Sequence, residues 1–247
     1  QWMTTIYLLV VSIIVPISAL LKRRYRTKSL FIVANLLFIL GVVIDAFSPI
    51  FPLLLVGRAI QGIGTGIALP LMFNIILEQV PTSKVGFMMG IGAMITGIAP
   101  AIGPTFGGVI VNTLGWRWIF AFLLPILLFS LLLGIWGIQQ KSAISKVHID
   151  ILAMLGITIF FSGLIYGFSN LSSGHFLSLS VGGAILIGLL GFVWFSYRNH
   201  QIATPILALH LFRNSNFAGH ILAFFLIQFL SLGNAFLLPN YIQLVNG

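Results

Sequence analysis

The sequence predicts an all-α, polytopic transmembrane helical bundle, and three observations carry that prediction. Hydrophobic residues fill 59% of the 247 positions and charged residues only 6%, with a mean hydropathy of +1.14. A surface facing water needs far more charge than this. The apolar residues also come in repeated blocks of about 18 to 25, the length that crosses the hydrocarbon of a bilayer. Finally, the connections between blocks alternate between basic and charge-free, the pattern left by insertion into a membrane. A transmembrane barrel is excluded, because it would show strictly alternating segments of about ten residues.

Eight spans are expected, over 1–21, 30–48, 52–78, 86–111, 117–138, 151–169, 177–197 and 216–245. The first runs into Lys22, Arg23, Arg24, Arg26 and Lys28. The second carries Asp45 near its far end, and "SPIFP" turns the chain into the third, which holds Arg58, Gln61 and Thr65. Lys84 precedes the fourth. The short "NTLG" turn leads to the fifth, where Trp116 and Trp118 suit an interfacial belt. Lys141 and Lys146 separate the fifth span from the sixth, whose start at Asp150 reads as a helix cap. Arg198 and Arg213 flank the connection to the last span, and "PILALHLF" within it is expected to be an amphipathic helix lying in the interface. Ten of the twelve Lys and Arg residues thus sit in alternate connections. The positive-inside rule places those connections in the cytoplasm and both ends of the chain outside, so a preceding helix is expected.

The formal charge of +9 comes from twelve basic against three acidic residues. Because the positives lie between spans, it argues for topology and against nucleic-acid binding. There is no Cys, so disulfides, thiolate ligands and thiol nucleophiles are out of the question. The histidines show no metal-ligand spacing. No nucleophile–base arrangement or phosphate loop stands out, and the chain is not expected to be an enzyme.

Polar groups inside the spans are therefore the functional candidates. Arg58, Gln61 and Thr65 fall on one stripe of a helix. A charge at that depth must face protein or water, so Arg58 either ties neighbouring helices together or contacts substrate or ion. Asp45 either pairs with Arg58, titrates during transport, or caps the "SPIFP" turn. Tyr7, at the outer end of the first span, reads as an interfacial aromatic, and Glu78 as a helix-end acid that braces a loop. Gln228 and Asn234 in the last span either line a cavity or make scattered interhelical hydrogen bonds.

"GIAPAIGPTFGG", residues 97–108, sits inside the fourth span. Pro100 and Pro104 share a face and favour a bend. Gly103 and Gly107, like Gly86 and Gly90, stand four apart, which lets a second backbone approach closely. The freed carbonyls need partners, so this part is expected to be buried in protein.

These motifs resemble the major facilitator superfamily, specifically its fourteen-helix drug:proton antiporter branch of EmrB/QacA-like exporters. The antiporter signature of that branch is matched at Gly90, Gly103, Pro104, Gly107 and Gly108, with Ala99 where a glycine is expected. Its fourth-helix signature is matched at Arg58, Gln61 and Gly62, the arginine being associated with proton coupling. In the cytoplasmic gating loop Arg24 and Lys28 are retained, whereas Arg23 replaces an expected acid and Arg26 an expected glycine; Val85 stands where related exporters often have arginine. The resemblance implies helices two to nine of fourteen. Residues 1–138 would form most of the amino-terminal bundle, 139–215 an extra central helix pair with its connections, and 216–247 the first helix of the carboxy-terminal bundle. It implies proton-driven antiport exporting amphipathic or cationic drugs from a bacterial cell membrane, the alternative being export of a specific metabolite, peptide or lipid. No cofactor is implied beyond the proton gradient. The implied partners are the lipid bilayer, a small amphipathic substrate, protons and the missing helices of the same chain, in a protein that is monomeric when complete.

Overall fold

The computed structural model describes residues 2–141, 143–145, 150–171, 178–202 and 204–246, apart from the side chains of residues 100, 101, 179, 235, 236, 239, 240, 242–244 and 246. The described residues form eight long helices and no strand. They are α1 (Trp2–Arg24), α2 (Thr27–Phe47), α3 (Phe51–Gln79), α4 (Val85–Thr113), α5 (Arg117–Gly137), α6 (Ile151–Ser169), α7 (Ala184–Gln201) and α8 (Ser215–Asn246). Each contains a stretch long and apolar enough to cross a membrane. The protein is a multi-pass membrane protein.

α3 is the axis of the packed body, because its glycines admit a helix on each side. A Cβ at Gly64 would stand 2.6 Å from the Ala34 carbonyl of α2, and one at Gly66 would stand 2.6 Å from Ile14 Cβ of α1. Lipid is as apolar as leucine, so burial alone does not hold such helices together; close backbone approach and the dispersion contacts it permits do. Leu30, Ala34, Ile67 and Leu71 fill the α2–α3 seam, with Ile14 and Leu21 of α1 packed against them. α5 joins this group through Gly134, which lies against the Phe31 ring of α2.

α6 and α7 form a second unit on the same principle. Gly163 and Gly188 face each other so closely that a Cβ on Gly163 would lie 2.6 Å from the Gly188 Cα, and Gly156 and Gly191 repeat the device. The pair docks on α1 through Leu20, Ala153, Ile157, Phe195 and Ile206.

Ile206 corrects one expectation. "PILALHLF" does not lie flat in the interface as an amphipathic helix. Only Leu209–Arg213 winds, as a short 3₁₀ turn, and Ile206 is buried under α1 and α6. Asn199 causes this: its Oδ1 accepts from the Ile206 and Leu207 amides at 2.8 and 3.2 Å, and its Nδ2 donates to the Leu207 carbonyl at 2.7 Å. The linker is pulled inward before it can lie on the membrane.

α4 runs unbroken past Pro100 and Pro104, beside α3 and α5, and α8 touches α4. The basic side of the bundle is cross-braced by the α5–α6 linker. Gln140 Oε1 accepts from the Thr27 amide at 2.7 Å, the Ser145 amide donates to the Arg23 carbonyl at 2.9 Å, and Gln79 Nε2 donates to the Gln139 carbonyl at 2.8 Å.

Candidate functional site

Three helices bring one polar chain together in the charge-poor half of the bundle. Arg58 and Gln61 are three apart on α3 and so share a face; Arg58 Nη1 donates to Gln61 Oε1 at 2.7 Å. The other end of that amide reaches α2, where Gln61 Nε2 donates to Asp45 Oδ2 at 2.7 Å. On the α1 side the Arg58 guanidinium lies 4.4 Å from the centre of the Tyr7 ring, and its Nε donates to the Met3 carbonyl at 3.4 Å. The Tyr7 hydroxyl donates to Thr65 Oγ1 at 3.0 Å, which returns the chain to α3.

Asp45 and Gln61 are 0% and 1% exposed, so the acid–amide end of this network is sealed. Gly57 makes it fit: a Cβ there would run into the Asp45 carboxylate. Asp45 Oδ1 is buried with no hydrogen-bond partner. A carboxylate in that position is costly to keep charged, and the guanidinium reaches it only through the amide. The structure changes two of the readings of Asp45, the pairing and the turn cap. Asp45 is bridged to Arg58 rather than paired with it, and the turn is closed without its side chain, by the Ser48 hydroxyl donating to the Ile50 carbonyl at 2.8 Å. Arg117 braces the same turn, its Nη2 donating to the Ser48 carbonyl at 3.0 Å while its guanidinium stacks on Trp116.

Thr65 has a second role. It lines a cavity of about 460 Å³ between α2, α3 and α5, in the half of the bundle nearer the basic side. The walls are Phe31, Phe38, Met72 and other apolar groups, with Asn35, Thr65 and Ser130 as the hydrogen-bonding side chains and no ionisable one. Asn35 Oδ1 is buried without a partner. The relay therefore runs from a sealed acid at one end to an apolar cavity of ligand size at the other.

The remaining candidates are not gathered here. A Cβ at Gly90, Gly103 or Gly108 would meet nothing within 4 Å, and one at Gly107 would only graze Ile119 at 3.9 Å. Pro104 is exposed, and the Pro100 side chain lies outside the described residues. The burial and close packing expected of this stretch are not provided by the described residues, because α3 and α5 border α4 elsewhere. Gln228 and Asn234 are exposed on α8 and line none of the cavities described here. Arg24 and Lys28 are exposed in the α1–α2 turn, where Arg24 lies over the Tyr25 ring.

Two other acids have structural work. Glu78 pairs with Lys22, tying the basic-side ends of α3 and α1. Asp150 caps α6, its Oδ1 accepting from the Ala153 amide at 2.9 Å while Oδ2 meets Arg198 Nη2 at 2.6 Å. The Ala153 amide first, and Arg198 after it, hold this carboxyl below the usual carboxylate range. Tyr7 was missed as a site residue; its position at a span end reads as interfacial, and only the α1–α3 approach at Gly62 and Gly66 reveals its partners.

Residues 1–247 match the family model described as Major Facilitator Superfamily. The chain is 40% identical over 245 residues to the lincomycin resistance protein LmrB of Bacillus subtilis (strain 168), covering 98% of this chain and 51% of that protein. It is 38% identical to the LmrB of Listeria monocytogenes serovar 1/2a, over 98% of this chain and 52% of that protein. It is 27% identical to a multidrug resistance protein B homolog of Mycobacterium tuberculosis (strain ATCC 25618 / H37Rv), over 99% of this chain and 46% of that protein. The chain spans about half the length of these curated relatives.

Proposed function

The chain belongs to the major facilitator superfamily, and from that premise we propose that the full-length protein is a secondary transporter exporting amphipathic drugs in exchange for protons. The observation that carries the reading is the Asp45–Gln61–Arg58–Tyr7–Thr65 relay, a sealed acid linked by hydrogen bonds and a cation–π contact to a cavity-lining hydroxyl. A proton arriving from the outer side neutralises Asp45, removing a buried charge. Gln61 then loses its charged acceptor and Arg58 the anion it was balanced against. Helices α1, α2 and α3 are held by those same contacts, so the protonation state biases how they sit together. Thr65 carries that bias to the cavity wall.

The cargo class follows from the cavity. Its aromatic and aliphatic walls and three neutral hydrogen-bonding side chains suit an amphipathic molecule. The names of the relatives, which refer to lincomycin and multidrug resistance, support antibiotics as that class. Gly90, Gly103, Pro104, Gly107 and Gly108 of α4 are assigned to a seam with helices of the full-length chain beyond this span, where they limit leakage. The protein acts in the plasma membrane of a bacterium, needs no cofactor beyond the proton gradient, and is complete as a monomer.

The test is drug-dependent proton movement in proteoliposomes of the full-length protein. Export is expected to stop when the proton gradient is collapsed, and Arg58→Ala is expected to insert normally while losing coupled export. Drug export that continues unchanged without the gradient would overturn the reading.

A further inference from the structure

All three acids of the chain are Asp45, Glu78 and Asp150, and each has a place. Asp45 is sealed in the opposite half of the bundle, Glu78 holds Lys22, and Asp150 caps α6 and holds Arg198. Among residues 1–247 no acid is left for Arg23, Arg24, Arg26 and Lys28, four exposed cations within six residues at the α1–α2 turn. The fold adds a fifth. Gln140 and Ser145 of the α5–α6 linker are both pinned to this turn, Gln140 on the Thr27 amide and the Ser145 amide on the Arg23 carbonyl. That brings exposed Lys141 alongside.

Five cations held on one surface repel one another unless an anion is shared among them. We propose that this surface binds the phosphate headgroups of anionic lipids in the adjoining, cytoplasmic leaflet. The placement selects lipid over a soluble anion. The cations lie at the ends of membrane helices, beside Tyr25, 46% exposed, and Trp136, 93% exposed at the same end of α5. Aromatic side chains favour headgroup depth, and basic clusters next to a span attract anionic leaflets. Phosphate oxygens also suit the arginine fork, which makes the three arginines more than interchangeable charges. The site does not depend on the transport reading.

The test uses the full-length protein in nanodiscs of mixed phosphatidylglycerol and phosphatidylcholine, with retained lipid counted by native mass spectrometry. The wild type is expected to prefer phosphatidylglycerol by about tenfold or more, since each basic residue near an anionic surface contributes a severalfold factor. Arg23→Gln/Arg26→Gln/Lys141→Gln is expected to bring the preference below about threefold, whereas Arg23→Lys/Arg26→Lys retains most of it. Should the glutamine variant fail to fold, the wild type decides: raising salt to about 0.5 M must abolish a headgroup preference that is electrostatic. A preference that ignores salt, or none at all, overturns the proposal. Displacement of the lipid by millimolar glycerol phosphate would also overturn it, by moving the site to free phosphate.

Discussion

α3 and α4 are both 29-residue helices rich in glycine, yet they end in opposite circumstances. In α3 the glycines are occupied surfaces: Gly57 receives the Asp45 carboxylate, Gly64 the α2 backbone, and Gly62 and Gly66 the α1 helix. In α4, Gly86, Gly90, Gly97, Gly103 and Gly108 meet nothing within 4 Å. The difference teaches that glycine spacing expresses a capacity for close approach. Whether the capacity is used depends on which helices are at hand, and this span supplies neighbours for α3 and few for α4.

The sharpest way to break the comparison is to fill one glycine on each helix of the full-length protein. Gly57→Ala drives a methyl into Asp45 and is expected to cost about 2 to 4 kcal/mol, a large fall in thermal unfolding temperature. Gly103→Ala is expected to be neutral or to gain up to about 1 kcal/mol by the space seen here. Equal losses would mean that a helix outside this span lies against α4 as closely as α2 lies against α3.

Asp45→Asn keeps the shape and an acceptor for Gln61 but can no longer take up a proton. It is expected to leave unfolding within about 1 kcal/mol of wild type while abolishing drug-dependent proton flux in proteoliposomes. Retained flux would reduce the α3 network to packing. A finer probe is Tyr7→Phe, which keeps the ring under Arg58 and deletes only the bond to Thr65. A loss of about 1 kcal/mol is expected by thermal unfolding, with a measurable drop in drug affinity if Thr65 transmits to the cavity.

The smallest effect should come from outside the comparison, at Asp150. Its folded-state carboxyl is held below the usual range, so its contribution is present at neutral pH and lost as pH falls below the ordinary value of about 3.9 and through the depressed one. Asp150→Asn, still able to cap, is expected to cost under about 1 kcal/mol at pH 7 and to flatten that acid limb of the stability profile.

Much of the architecture was legible because membrane insertion writes it locally. Span lengths, the alternation of basic connections, the Asp150 cap and the Arg58–Gln61 pair all depend on residues near one another in sequence. The Asp45–Gln61 bond joins two helices across sixteen residues, and Tyr7 reaches Thr65 across fifty-eight; neither separation carries a periodicity to read. The Gly163–Gly188 seam likewise joins α6 to α7 across twenty-five residues, with no local pattern to mark it. "PILALHLF" misled for a related reason: its amphipathic pattern is real, but three hydrogen bonds to Asn199 outweigh it.

Gln61 has one further consequence. A primary amide is asymmetric, with two donors at one end and an acceptor at the other, and here the acceptor faces the cation and the donors face the anion. Turned through half a circle, the amide would set oxygen against carboxylate oxygen and N–H against guanidinium N–H, so the side chain is keyed to one orientation. A protonated Asp45 removes half of that key, because a carboxylic acid can accept from the amide N–H through its carbonyl oxygen or donate its O–H to the amide oxygen. Proton arrival is thereby converted from a change of charge into a freedom of rotation about a single side-chain bond.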